Sequence, residues 1–295
     1  MRVVTTLDEL ADARTAWSGG RRAAGLVPTM GYLHAGHLSL VACARAENEV
    51  VIASIFVNPT QFGPHEDLAR YPRDLPRDLE LLAAAGCDVV FTPSAEQMYP
   101  PGFSTYVEPG GMLSERLEAA ARPRHFRGVA TVVLKLFNLV QPARAYFGQK
   151  DAQQVAVLRR MVTDLNVPVE LRVCPTVREA DGLALSSRNA YLGPEDRAAA
   201  AVLSRALLAG VAVFDARPAG GVEAVRQAMA AVAAGEPRTA LEYADVCDPD
   251  TFAPLTELST PALLAIAARV GPARLIDNVV LRPGSGWELG VRLAS

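Results

Sequence analysis

The chain has 295 residues, of which 50% are hydrophobic and 21% charged, with a formal net charge of −3 at pH 7. These values are typical of a soluble globular protein and allow one large domain or two unequal ones. The slight acidity argues against a general nucleic-acid binder, because such proteins depend on basic surfaces.

Targeting and metal-binding patterns are not evident in the sequence. The first residues lack the apolar core of a signal peptide, and no uncharged run of about 18 apolar residues occurs. The four cysteines are scattered without Cys-x-x-Cys spacing, which argues against a structural zinc site. We therefore expect a cytoplasmic protein that does not associate with membranes.

A strand, a turn and a helix are predicted around residues 23–47. The apolar run 23–27 is typical of a buried strand, Pro28 and Gly31 interrupt it, and helical spacing of apolar residues begins at Gly36. The first N–H groups of a helix attract anions. This turn is therefore a candidate phosphate site.

His34 and His37 lie three residues apart at the start of that helix. Two imidazoles beside an anion-binding helix start can stabilise negative charge that develops on a phosphorus centre. A His-x-x-His pair is also compatible with helix capping or a surface position. Its place within His-x-Gly-His, directly after a strand, favours the catalytic interpretation.

The next predicted strand, residues 50–57, is followed by Asn58 and Gln61. Ligands of open α/β sheets bind beyond the carboxyl ends of strands, so these amides are candidates for substrate contacts, although Asn58-Pro can also be a simple turn. A cationic loop containing Arg122 and His125 precedes a predicted helix at 129–139. This loop is either a second anion site or a solvated loop.

A second strand–glycine–helix unit is predicted at residues 143–165, with Lys150 at its turn and Gln154 in the first helical turn. Lys135 and Lys150 are the two lysines among 29 basic residues, so Lys150 stands where a compact ammonium group is favoured over arginine. Its charge would add to the helix dipole over a phosphate.

A strand at 169–173 leads to Ser186, Ser187 and Arg188, which can donate to phosphate oxygens. Beyond residue 193 the sequence predicts alanine-rich helices and a separate small sheet. We thus predict a Rossmann-like α/β domain at 1–189, with a parallel sheet and helices on both faces. A smaller α+β domain at 190–295 is the predicted lid.

Several motifs together resemble the pantothenate synthetase family, the pantoate–β-alanine ligases of the His-x-Gly-His nucleotidyltransferase superfamily. The motifs occur in the family's order over about residues 25–192. They are Val-Pro-Thr-Met-Gly…His34-Ala-Gly-His37, Ser54-Ile-Phe-Val-Asn-Pro-Thr-Gln61-Phe, Arg122-Pro-Arg-His-Phe-Arg-Gly-Val129, Tyr146-Phe-Gly-Gln-Lys-Asp151 and Pro175-Thr-Val-Arg-Glu-Ala-Asp-Gly-Leu-Ala-Leu-Ser-Ser-Arg-Asn189. Residues 274–278 are also similar.

The resemblance implies an ATP-dependent ligase with Mg²⁺ as the accompanying ion. In that family pantoate and ATP give pantoyl adenylate and pyrophosphate, and β-alanine then gives pantothenate and AMP. The implied partners are these small molecules, with neither nucleic acid nor membrane, in a homodimer. The ligands of the metal are left open, and a contact from Asp78 is not assigned.

The resemblance also implies site residues. The catalytic residues would be His34, His37, Lys150 and Arg188, with His37 as the proton donor. The ATP site would comprise Met30, Gly31, Tyr32, Leu33, His34, Ala35, Gly36, His37, Gly148, Gln149, Lys150, Asp151, Val177, Leu185, Ser186, Ser187 and Arg188. Pantoate would contact Gln61 and Gln154, with Gln61 also near β-alanine, and Asn58, Arg122 and His125 are further candidates. The departures from the family pattern are Ala35, Gln149 and Leu185.

Three alternatives remain open. Another His-x-Gly-His enzyme would transfer a nucleotidyl group to a phosphorylated small molecule and leave it there. The core of a class I aminoacyl-tRNA synthetase is disfavoured by the acidic net charge. A nucleotide-sensing protein without catalysis is disfavoured by the intact set of His34, His37, Lys150 and Arg188.

Overall fold

The computed structural model describes residues 1–18, 23–64 and 66–293. Its contacts divide the chain into two compact units. The first unit comprises Met1–Gly148 and Gln154–Cys174, and the second comprises Gln149–Gln153 and Pro175–Ser295. The boundary that the sequence suggests at residue 189 stays a prediction.

A six-stranded parallel sheet forms the first unit. Its strands are β1 (Arg2–Val4), β2 (Ala24–Thr29), β3 (Val50–Ile55), β4 (Val89–Phe91), β5 (Arg144–Gly148) and β6 (Glu170–Cys174). The spatial order is β1-β4-β3-β2-β5-β6, with every neighbouring pair parallel. The predicted Rossmann-like sheet is thereby confirmed. The edge strand β1 was not predicted, because three residues carry no readable pattern.

Helices cover both faces of this sheet. They are α1 (Leu7–Arg14), α2 (Ala35–Glu47), α3 (Leu75–Ala84), α4 (Ala95–Met98), α5 (Glu118–Ala121), α6 (His125–Val140) and α7 (Ala152–Asp164), with 3-10 turns at Pro59–Gln61 and Gly111–Ser114. Val41 of α2 and Leu82 of α3 are fully buried with Val27 and Ala53 of the sheet. Helix α6 packs against β2 and against α1.

Several predicted boundaries differ from the structure by a few residues: the strand predicted at 50–57 ends at Ile55, and the strand predicted at 169–173 is Glu170–Cys174. Two further differences concern α6 and β2. Helix α6 begins at His125 rather than 129, because Arg124 in the left-handed conformation (φ 70°) starts the helix there. Strand β2 extends through Pro28, which pairs with Ser54 of β3, so the interruption comes after Thr29. Both shifts lengthen an element toward the predicted binding residues.

The strand order reverses between β2 and β5. Ligands of open α/β sheets bind at such switch points, beyond the carboxyl ends of the strands. The turn that connects β2 to α2 therefore lies where the fold itself favours a ligand.

The second unit is a smaller α+β structure, as predicted. Its strands are β7 (Val177–Arg178), β8 (Thr239–Cys247), β9 (Ala262–Val270), β10 (Ala273–Arg282), β11 (Gly286–Glu288) and β12 (Val291–Arg292). Its helices are α8 (Pro194–Ala200), α9 (Val202–Ala216) and α10 (Gly221–Ala234), with 3-10 turns at Gln149–Asp151 and Ser187–Tyr191. Strands β11-β10-β9-β8 form an antiparallel sheet, and β7 pairs with β12 in parallel.

One described stretch, Pro194–Ala216, is long and apolar enough to cross a membrane by composition. In the structure 56% of its most apolar window is buried. Leu203, Ala206, Leu207 and Phe214 of this stretch belong to the core that covers the antiparallel sheet. Its apolar character is thus explained by packing in the core of the second unit.

Candidate active site

Asp78 fixes the turn between β2 and α2. Its Oδ2 accepts the backbone N–H of Tyr32, and its Oδ1 accepts that of Leu33, each at 2.7 Å. The Asp78 side chain is 1% exposed. Gly31 has φ +82°, and a Cβ there would lie 3.0 Å from Asp78 Oδ2. The glycine and the buried carboxylate thus set the path of the predicted ATP-binding turn.

His34 and His37 cap α2 through their imidazoles. The Gly36 N–H donates to His34 Nδ1 at 3.2 Å, and the His34 N–H donates to His37 Nδ1 at 3.4 Å. The two ring centroids are 4.1 Å apart. Because each Nδ1 accepts a hydrogen bond, the proton of a neutral ring lies on Nε2. The structure therefore brings the two predicted catalytic histidines together as a pair with defined tautomers.

Asn58 and Gln61 form one buried amide group after β3. Asn58 Nδ2 donates to Gln61 Oε1 and to the Gly128 carbonyl oxygen, each at 3.1 Å. Gln61 Nε2 lies 3.1 Å from Met30 Sδ. Gln61 is thus linked to the last residue before Gly31, at the carboxyl end of β2. These predicted pantoate and ATP residues lie together in the first unit.

The backbone of Gln61 is held by the cationic loop. The Gln61 carbonyl oxygen accepts from His125 Nδ1 at 2.9 Å, and His125 Nε2 faces Arg122 Nη1 at 3.1 Å. Since guanidinium nitrogens only donate, His125 Nε2 is the acceptor and Nδ1 carries the proton. Burial, followed by the Arg122 charge, lowers the pKa of His125 to about 4. His125 is therefore a neutral structural group near pH 7.

Arg122 is paired with Glu66, a residue that the sequence did not suggest. Arg122 Nε and Nη2 donate to Glu66 Oε2 at 3.0 and 2.5 Å. Burial acts to raise the pKa of Glu66, but the hydrogen bond and charge of Arg122 outweigh it, so the pKa is lowered. Direct contact of Arg122 or His125 with a substrate acid stays a prediction. Their contacts in the structure support Gln61.

In the second unit, Asn278 of β10 holds the turn that carries Lys150. Its Nδ2 donates to the carbonyl oxygens of Gln149 and Lys150 at 3.1 and 2.8 Å, and its Oδ1 accepts from Gln149 Nε2 at 3.2 Å. The Lys150 Nζ lies 3.4 Å from Asp151 Oδ1, and its side chain is 19% exposed. The hydrogen bonds from Asn278 therefore fix the backbone turn from which the Lys150 side chain extends.

The segment with the predicted phosphate-binding hydroxyls is anchored by Arg178. Its five N–H donors reach Asp277 Oδ1 and Oδ2 and the carbonyl oxygens of Gly182, Asn278 and Leu289, at 2.5 to 3.2 Å. The Arg178 and Asp277 side chains are 4% and 2% exposed. This satisfied, buried pair fixes the segment to β10, the strand that also holds the Lys150 turn.

The remaining predicted nucleotide residues lie in that segment. The Leu185 N–H donates to the Val177 carbonyl oxygen at 3.0 Å, so these two residues are neighbours. Ser186 Oγ accepts the Arg188 N–H at 3.2 Å and caps the turn Ser187–Tyr191. In the first unit, Gln154 is half-buried in the first turn of α7.

Two of these supporting residues have a local sequence signal that the prediction did not use. Asp78 stands four residues before Leu82 in α3, and both are buried, so an acid occupies the apolar face of a helix. Asn278 follows Asp277 in strand β10, between the apolar residues Ile276 and Val279. Polar residues at buried positions of regular elements indicate hydrogen-bonded partners.

A resident metal site is not supported by the described residues. Within ranges 1–18, 23–64 and 66–293, no group of three or more His, Cys, Asp or Glu residues is placed to hold a metal ion. Mg²⁺ that accompanies ATP needs only one or two carboxylates, because phosphates and water supply the other ligands.

Comparison with known proteins identifies the family. The model of the family described as pantoate-beta-alanine ligase matches residues 2–280. The chain belongs to the pantothenate synthetase family. Among curated relatives, pantothenate synthetase of Roseiflexus sp. strain RS-1 is 59% identical over 281 residues, 95% of this chain and 99% of the relative. The enzyme of Herpetosiphon aurantiacus is 57% identical over 282 residues, 95% and 100% of the respective chains.

Solved structures of the same family share the fold. Pantothenate synthetase from Thermus thermophilus aligns with a TM-score of 0.90 and 53% identity over 96% of this chain and 100% of the other. Pantoate-beta-alanine ligase from Francisella tularensis, complexed with beta-gamma ATP and beta-alanine, aligns with a TM-score of 0.77 and 34% identity over 95% and 97%. The family supports ligase chemistry in preference to the alternative of nucleotidyl transfer to a phosphorylated acceptor.

Proposed function

We propose that this protein joins pantoate to β-alanine at the expense of ATP, through a pantoyl-adenylate intermediate. The pantoate carboxylate attacks the α-phosphorus of ATP, and the bond to the bridging oxygen breaks to release pyrophosphate. The amine of β-alanine then attacks the acyl carbon, and AMP leaves as the amide forms. The family membership supports both substrates.

The observation that carries this proposal is the paired capping of α2 by His34 and His37. Their Nδ1 atoms accept backbone N–H groups, which assigns the N–H of each neutral ring to Nε2. Two such donors at a positively polarised helix end favour the charge that builds on the α-phosphate oxygens. A carboxylate nucleophile is ionised at neutral pH, so positioning and electrostatics account for this step.

We assign the remaining roles residue by residue. In the first unit, Gln61 and Gln154 bind pantoate, and the turn from Met30 to His37 binds ATP. In the second unit, Lys150 and Arg188 bind phosphate oxygens, and Val177 with Leu185–Ser187 completes the nucleotide contacts. Gly148, Gln149 and Asp151 act through the turn that presents Lys150. His37 is the assigned proton donor.

Mg²⁺ would enter with ATP, and its charge would neutralise phosphate oxygens. Asp78 is not its ligand in this proposal, because both carboxylate oxygens of this 1% exposed residue accept backbone N–H groups. The protein contributes donors to the phosphates and the fixed turns that carry them. We further propose a cytoplasmic homodimer, which the family resemblance supports. Light scattering of the purified protein tests whether it is a dimer.

The decisive experiment is pantoate-dependent exchange of labelled pyrophosphate into ATP without β-alanine. Exchange that requires pantoate is the expected result, since adenylation is reversible before the amine arrives. Mass spectrometry with all three substrates should then show pantothenate and AMP. A product that retains the nucleotide, or exchange that is absent, would refute the proposal.

His37→Ala and Lys150→Ala should each lower the exchange rate about a hundredfold or more, because a preorganised donor to the reacting phosphate is lost. Arg160→Ala is the control, since the Arg160 side chain is 67% exposed on α7 and pairs there with Asp164. Wild-type exchange in His37→Ala or Lys150→Ala would remove that residue from the mechanism.

A further inference from the structure

Tyr99 donates its phenol O–H to Asn58 Oδ1 at 2.8 Å, and Asn58 in turn contacts the Gln61 amide. We propose that Tyr99 is a positioning residue for the acid substrate, acting through Asn58 on the orientation of the Gln61 amide. This inference rests on the proposed function, in which Gln61 binds pantoate.

The orientation of Asn58 follows from its partners. The Gly128 carbonyl oxygen can only accept, so the Asn58 atom 3.1 Å from it is the nitrogen. Asn58 Oδ1 then faces the Tyr99 hydroxyl and the Thr60 Oγ1 and N–H, at 2.8, 2.9 and 3.3 Å. Asn58 is 1% exposed, so water cannot reach its amide to substitute for a lost hydrogen bond.

The orientation of Gln61 follows from Asn58. Since Asn58 presents an N–H donor, the Gln61 atom opposite it is Oε1, and Nε2 lies on the other side near Met30 Sδ. A thioether sulfur is a weak acceptor, so a carboxylate or hydroxyl oxygen is a better partner for Nε2. Gln61 is thus set to donate, which suits an acid substrate and disfavours a cation at the same place.

The position of Tyr99 is secured by its ring, independently of its hydroxyl. The ring lies edge-on to Phe103 with centroids 5.0 Å apart, and Phe56 lies 6.2 Å away. Burial raises the pKa of Tyr99, so the phenol stays protonated and donates its O–H to Asn58 Oδ1 at 2.8 Å, while Thr60 Oγ1 lies 3.3 Å from the same hydroxyl. Tyr99→Phe therefore removes the hydrogen bond and retains the packing.

The test is steady-state kinetics of Tyr99→Phe. We expect the KM for pantoate to rise about fivefold, as for loss of one buried hydrogen bond, with kcat and the KM for ATP within about twofold of wild type. Tyr106→Phe is the matched control. Tyr106 follows Tyr99 by seven residues, is 37% exposed and stacks under Arg127. The KM for pantoate of the Tyr106→Phe variant should therefore stay at the wild-type value.

A double-mutant cycle separates positioning from a general structural effect. In a Gln61→Ala background, Tyr99→Phe should change the KM for pantoate by less than about twofold, because the group it positions is gone. Where Gln61→Ala is too slow for kinetics, calorimetric binding of pantoate in the presence of an ATP analogue with a non-cleavable α,β-phosphate bridge gives the same comparison.

The outcomes distinguish this inference from the proposed function. Wild-type protein that turns over pantoate, with an unchanged KM in Tyr99→Phe, overturns the positioning role alone. An increase that persists in the Gln61→Ala background also overturns it. A wild-type protein that makes no pantothenate refutes the proposed function, and with it this role.

Discussion

Asn278 donates its side-chain amide to the backbone carbonyl of Lys150 over 2.8 Å, across 128 residues of sequence. The same amide also meets the backbone and side chain of Gln149. The position of the Lys150 ammonium therefore depends on one residue of the antiparallel sheet in the second unit.

Asn278→Asp should weaken ATP binding without unfolding the protein. A carboxylate would face the carbonyl oxygens of Gln149 and Lys150, so the turn would lose two hydrogen bonds and gain repulsion. We expect the KM for ATP to rise about tenfold, the equivalent of roughly 1.4 kcal/mol. Asn138→Asp on the exposed side of α6 introduces the same charge as a control. Equal ATP constants in both variants would contradict the role of Asn278.

The framework of the first unit was readable from the sequence because its signals are local. The β-branched run that forms β3 is buried almost throughout, as parallel strands covered on both faces are. The His34–His37 pair was likewise visible, since the strand, the glycines and the helix adjoin it in sequence.

The hydrogen-bond partners of the site's supporting residues could not be predicted from the sequence, because they lie in distant parts of the chain. Asp78 contacts the backbone of Tyr32, 46 residues away, and Arg178 pairs with Asp277, 99 residues away. A backbone N–H carries no residue identity, so sequence alone cannot show which carboxylate it meets. The sequence predicted Arg122 and His125 as site residues from their chemistry. Their hydrogen bonds to Glu66 and Gln61 could be identified only in the structure.

Asp78→Asn should lower both stability and nucleotide affinity. The amide can accept from only one of the Tyr32 and Leu33 N–H groups, and its own NH₂ would face the other. An unsatisfied buried donor costs about 1–3 kcal/mol, which chemical denaturation would measure as a reduced free energy of unfolding. Glu80→Gln, an exposed position on the same helix, makes the same charge change. Wild-type stability of Asp78→Asn would show that the carboxylate does not hold this turn.

Gly128→Ala tests the close approach of α6 to the turn after β3. A Cβ at residue 128 would lie 2.5 Å from the Thr60 carbonyl oxygen and 2.6 Å from the Gln61 nitrogen, both backbone atoms. We expect a loss of about 1–3 kcal/mol in unfolding free energy and a higher KM for pantoate, because Gln61 must shift. Gly110→Ala, whose Cβ would meet nothing within 4 Å, should leave both unchanged. A stable Gly128→Ala variant with normal kinetics would contradict this packing.

The buried His125 predicts a specific loss of stability in mild acid. Its pKa is about 4 in the folded protein, against an ordinary value of 6.5, chiefly because burial disfavours the charged ring. Between these two values the unfolded chain binds a proton that the folded protein does not. Protonation therefore favours unfolding, and this contribution to stability is complete above pH 6.5 and declines as the pH falls to 4.

The full difference corresponds to about 3 kcal/mol. Most of this difference falls between about pH 7 and pH 4.5, and it is measured as the free energy of unfolding of the wild type at the higher pH minus that at the lower, compared with the same difference for His125→Asn. The asparagine keeps a donor for the Gln61 carbonyl oxygen but does not titrate, so its stability should fall less over this range. Carboxylates titrate in both proteins and cancel in the comparison. Identical pH dependence of the two proteins would show that folding leaves the pKa of His125 near its ordinary value of 6.5, and the lowering of this pKa by burial would have to be abandoned.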